Sequence, residues 1–88
     1  MKIKEGFLLR HVGENHIVVP VGAAAVDFRS IITLNETGAF IWEQLSQPCT
    51  VEDVVKAVLA EYDVTVDIAA ADVATFITAM REKGLLDE

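Results

Sequence analysis

A chain of 88 residues holds one domain and buries about two-thirds of the surface that its unfolded form exposes, enough for a single modest core. Seven basic against fourteen acidic side chains give a net charge of -7, a balance that repels nucleic-acid phosphates and anionic membrane surfaces. Although 52% of the residues are hydrophobic, no apolar run reaches the ~20 residues that cross a bilayer. The opening MKIKEGF lacks the apolar segment of a signal peptide, so a cytoplasmic location is expected.

In chain order, FLLRHV (Phe7 to Val12) and HIVVPV (His16 to Val21) are rich in β-branched and large apolar residues around GEN, and predict a β-hairpin. Pro20 marks the end of its second strand, because proline has no N–H for a ladder. GAAAVDFRS has neither period and predicts a loop with brief strand character at Val26 to Phe28; SIITL (Ser30 to Leu34) resumes the extended pattern as a third strand. Asn35 suits a helix N-cap, with Glu36 in the first turn, and Gly38, Ile41, Trp42 and Leu45 follow at helical spacing until Pro48 forbids continuation near Gln47. Trp42 sits on that stripe as a core anchor, whereas Phe40 lies about 160° away round the helix, on the solvent side.

Thr50 and Asp53 form a capping-box pattern, and Val51, Val54, Val55, Val58, Leu59 and Tyr62 keep the spacing of an amphipathic helix. DVTV interrupts it. Asp67 is placed to cap a third helix carrying Ala69, Val73, Phe76, Ile77 and Met80 on one face, and Gly84 offers a left-handed C-cap before Leu85 and Leu86. The order is β-β-β-α-α-α: an α+β, winged-helix-like domain with a three-stranded antiparallel sheet followed by a three-helix bundle.

Nothing in this sequence nominates a reaction. Glu43, Glu52, Asp53, Glu61, Asp72 and Glu82 scatter over helix exteriors and turns, and no phosphate loop, nucleophile elbow or HExxH motif occurs. Cys49 is the one cysteine, so no intramolecular disulfide forms, and it reads as a small residue near a helix start with no partner base. His11 and His16 flank the VGEN turn and read as strand-end residues, leaving no metal site and no cofactor expected.

The third helix is more informative. Ala70, Ala71, Ala74 and Thr78 make a small-residue surface beside its apolar face, a pattern compatible with burial on two sides or with a partly open groove. RSIITL lacks the lysine and proline that usually protect a sheet edge, and an open edge accepts an added strand through backbone hydrogen bonds.

VVPVG, ITLNETGAFIWEQL, TVEDVVKAVLAEYDV and DVATFITAMREKGLL resemble, in order and spacing, the PqqD-like family, named after the pyrroloquinoline quinone biosynthesis protein D. The likeness runs from Phe7 to Leu86, and Leu34 to Trp42 is its most specific piece. The resemblance implies a non-enzymatic recognition element that binds the leader of a ribosomally synthesised precursor peptide as a further strand. Such an element presents the leader to a radical S-adenosylmethionine protein or another peptide-modifying enzyme. On this chain it implies a peptide site made of Arg29, Ser30, Ile31, Ile32, Thr33 and Leu34, with Val73, Phe76, Ile77 and Met80 as groove walls. Strand period two puts Ile31 and Thr33 on one face and Ile32 and Leu34 on the other.

Two rival classes share the composition. A winged-helix DNA-binding protein is disfavoured because the third helix has only Arg81 and Lys83, both at its end, against Asp67 and Asp72 nearer its start. A homodimeric interaction module would use the same apolar surface and edge.

Overall fold

The computed structural model describes residues 1–22, 24–27 and 31–88. Its elements in chain order are β1 (Lys2–Ile3), β2 (Phe7–Val12), β3 (Asn15–Pro20), α1 (Ala24–Asp27), β4 (Ile32–Leu34), α2 (Glu36–Gln44), α3 (Val51–Glu61), α4 (Val66–Glu82) and β5 (Leu86–Asp87). Strands β2, β3 and β4 form an antiparallel sheet in that spatial order, and the three longer helices follow it, as the α+β reading expects.

The hairpin pairs Val12 with Asn15 and Phe7 with Pro20 around a two-residue turn, Gly13 and Glu14. Period two then sorts its side chains: Phe7, Leu9, Val18, Ile32 and Leu34 belong to or pack on the core, while Leu8 and Val12 stand on the other face, 44% and 57% exposed. His11 and His16 are cross-strand neighbours at the hairpin tip, where their Nδ1 atoms approach to 2.6 Å and the rings meet edge to face.

The helix starts follow from short polar side chains that take otherwise unpaired backbone N–H groups. Asn35 Oδ1 accepts from Gly38 N–H at 2.7 Å at the head of α2. At α3 both halves of the capping box form, Thr50 Oγ1 accepting from Asp53 N–H at 3.1 Å and Asp53 Oδ2 from Thr50 N–H at 3.0 Å. At α4 the cap is Thr65, whose hydroxyl accepts from Ile68 N–H, and not Asp67 as the sequence pattern suggests. The helix begins two residues earlier because Thr65 is already extended and supplies the acceptor.

Its far end matches expectation: Gly84 takes φ +75, and its N–H and that of Leu85 donate to the carbonyls of Arg81 and Met80 at 3.0 and 2.9 Å. The reversal drives Leu85, fully buried, under the helices. It also brings β5 antiparallel to β1, a two-stranded sheet not anticipated from the sequence because each strand has only two residues. Ile3 N–H to Leu45 O and Lys4 N–H to Leu85 O, both 2.8 Å, fasten this small sheet to the end of α2 and the chain after α4.

Three further expectations need correction. Ala24–Asp27 is a helical turn rather than a loop with strand character at Val26, consistent with the high helix propensity of alanine; Phe28 lies outside the described residues. Helix α2 stops at Gln44, before Pro48 intervenes, and Ser46 turns back on Glu43 O through its hydroxyl at 2.6 Å. Phe40 is half-buried, because its ring meets that of Tyr62 edge to face with centroids 5.5 Å apart. Trp42 is in the core as expected, with Ile41, Leu45, Val54, Val58, Ala69, Val73 and Ile77.

The α3 cap supplies two tests. Thr50→Ala is expected to lower unfolding free energy by about 1 kcal/mol in urea denaturation. Hydrogen bonds from Thr50 hold the Asp53 carboxyl below its usual pKa, so its contribution is present above the unfolded-state pKa and is lost as pH falls through the folded one. Asp53→Asn should therefore lower stability slightly above the carboxyl's pKa and make the fall in stability on acidification smaller, read from urea denaturation in a pH series.

Candidate functional site

Which backbone groups of β4 are free follows from the ladder. Val21 N–H donates to Gly6 O at 2.8 Å, which fixes the alternation of the hairpin: Val19 and Ile17 turn their N–H and C=O toward β2, and Val18 and His16 turn theirs toward β4. The partners of Val18 and His16 are Ile32 and Leu34. Thr33, between them, consequently directs its N–H and C=O off the outer side of β4, where the described residues supply no neighbouring strand. The next position of β3 on the β4 side is Pro20, which has no N–H to give.

Beside that edge runs a groove of about 420 Å³. One wall is Ile32, Thr33, Leu34 and Asn35 with Thr37, Gly38 and Ile41 of α2; the other is Asp72, Thr75, Phe76, Ala79, Met80 and Lys83 of α4. The walls meet near Gly38, where a Cβ would be in ordinary contact with the Phe76 ring at 3.4 Å and Leu34 Cβ at 3.5 Å and tight only against Asn35 Oδ1 at 3.0 Å. The groove's apolar side chains alternate with polar groups: the hydroxyls of Thr33, Thr37 and Thr75, the Asn35 amide engaged as a cap, and two charges.

Of the residues implicated by sequence, Ile32, Thr33, Leu34, Phe76 and Met80 come together in this groove. Ile31 precedes the strand and is 63% exposed, and Arg29 and Ser30 lie outside the described residues. Val73 and Ile77, 0% and 3% exposed, belong to the core and not to the groove wall, because they face α2 and α3 from the opposite flank of the helical stripe. Asp72, Thr75, Ala79 and Lys83 were not expected. They lie four before, one before, three after and seven after Phe76, so helical spacing about that residue would have located all but Thr75.

No feature of catalysis emerges at the other singled-out positions. Cys49 is half-buried, burial pushes its thiol pKa up, and its Sγ contacts Gln44 O at 3.6 Å, all of which disfavour thiolate. Among the described residues no three His, Cys, Asp or Glu side chains cluster as metal ligands, and no helix is long and apolar enough to cross a membrane.

By fold the molecule is a small α+β domain with an open strand edge beside a helix-walled groove. The chain belongs to the coenzyme PQQ synthesis protein D (PqqD) family, whose model matches residues 22–86. It is similar to the solved structure of TbiB1 in complex with the TbiA(beta) leader peptide, with 25% identity, a TM-score of 0.76, and coverage of 99% of this chain and 95% of that one. It is also similar to lasso peptide synthetase B1 complexed with the leader peptide, at 20% identity and a TM-score of 0.72, covering 96% of this chain and 93% of that one; this second likeness is one of fold. No curated protein matches the sequence.

The wall residues differ in how far they also serve the core. Met80, 2% exposed, should cost about 2 to 4 kcal/mol of stability on replacement by alanine, whereas exposed Thr75→Ala should stay within about 0.5 kcal/mol, both read from urea denaturation.

Proposed function

We propose that this protein is a non-catalytic carrier that binds the leader of a ribosomally synthesised precursor peptide and presents it to a modifying enzyme, a radical S-adenosylmethionine protein or another peptide-modifying catalyst. The leader adds as a strand to β4, within the segment from Arg29 to Leu34, and lays alternate side chains against Phe76 and Met80. One observation carries the reading: Thr33 aims both its backbone groups outward at the mouth of an apolar groove. Membership of the PqqD family and the likeness to TbiB1, solved with a leader peptide, support it.

The energetics are adequate without any covalent step. Each apolar leader side chain removed from water contributes roughly 1.5 to 3 kcal/mol before the cost of ordering the peptide, so two or three of them with a few backbone hydrogen bonds reach micromolar affinity. A DNA-binding role fits the same helix poorly, since Asp72 stands on the exposed wall of α4 and the chain carries a charge of -7.

Titration with leader peptides encoded beside the gene should shift the amide resonances of residues 31–34 and of the α4 wall. Thr33→Pro removes the outward N–H at a position where an edge strand tolerates proline. It should leave the circular dichroism spectrum unchanged and weaken binding about tenfold or more by calorimetry, while Thr33→Ala stays within about twofold. Equal affinity for Thr33→Pro and the native protein would rule out strand addition at this edge.

A further inference from the structure

Resting on the peptide-site reading just given, a second property of the groove concerns which peptides it takes. Asp72 of α4 and Lys83, the C-cap residue that follows it, both line the groove, eleven positions apart (83 − 72). Eleven steps of about 100° make three turns and about 20°, so the two charges share one helix face, about 16.5 Å apart along the axis, with Phe76, Ala79 and Met80 between them. Both are exposed, and neither is engaged in an ion pair among the described residues. The nearby guanidinium of Arg81 is already held by Glu88 through two contacts of 2.9 and 2.7 Å. Every other described side chain lining the groove is uncharged.

We propose that the groove selects peptide strands carrying a basic and an acidic residue four positions apart with an apolar residue midway, the base at Asp72 and the acid at Lys83. In an extended strand residues i, i+2 and i+4 face one side, and i to i+4 spans about 13 Å. The remaining ~3 Å lies within the reach of long charged side chains, and residue i+2 falls before Phe76 and Met80. Spacings of three or five would turn one charge away from the helix. The acid at Lys83 is the discriminating member, because the net charge of -7 draws in any cationic peptide unspecifically, while only Lys83 offers the groove a local reason to accept an anion.

The test pans a phage-displayed library of random dodecapeptides on the native protein and on the Asp72→Lys, Lys83→Glu double variant, then measures synthetic copies of the enriched peptides by calorimetry. The native protein should enrich base and acid four apart around an apolar residue, in one chain order; the double variant should enrich the same spacing in reverse order. Asp72→Asn or Lys83→Gln alone should weaken the native binders about two- to fivefold, an effect that vanishes at about 1 M salt. Apolar binders with no charge order, or one order common to both proteins, would overturn this selectivity and leave the peptide site standing. An absence of any binder, together with unmoved amides in residues 31–34, would overturn the site and its selectivity alike.

Discussion

The architecture of the site depends on one close approach, at Gly38. Its N–H is held by Asn35 Oδ1 at 2.7 Å, which ends β4 and starts α2 within a single residue, and a Cβ there would lie in ordinary contact with Phe76 of α4 and Leu34 of β4. A methyl group there would also come within 3.0 Å of Asn35 Oδ1, so cap and packing compete for the same space. Strand, helix start and distal helix therefore meet around one buried residue at the side of the groove.

Along α4 the division of labour is a matter of angle. Val73 and Ile77 are committed to the core; Asp72, Thr75 and Lys83 are committed to solvent; Phe76 and Met80, 9% and 2% exposed, belong to both. The groove floor is therefore part of the hydrophobic core, and its shape is as rigid as the packing beneath it. The caps at Asn35, Thr50 and Thr65 and the reversal at Gly84 set where each helix begins or ends, and so which residues of α4 stand opposite β4.

Much of this was legible in the residues themselves. Strong periodicity located α3 and α4, short polar side chains located two of three caps, the LNETGAFIW stretch pointed to the family, and the unprotected RSIITL segment pointed to the edge strand. Other features depend on partners far away in sequence. The β1–β5 pair, two residues to a strand, exists only because Gly84 returns the chain beneath the helices. Thr65 and Asp67 are both acceptable caps by composition, and backbone conformation chose between them. Val73 and Phe76 look alike as apolar residues on one helix, and only the placement of β4 and α2 distinguishes core from wall. For the same reason Asp72 and Lys83 read as ordinary solvated charges until the opposite wall is in place.

The brevity of β4 has a kinetic meaning. The described part of the rim, Ile32–Leu34, ends at the start of α2, so an incoming chain pairs with it over few rungs. Few rungs unzip quickly, so residence is set by side-chain fit in the groove and not by a long backbone seam. If the site takes a leader strand as proposed, release of that strand is governed by Phe76 and Met80, two side chains that the core also holds in place.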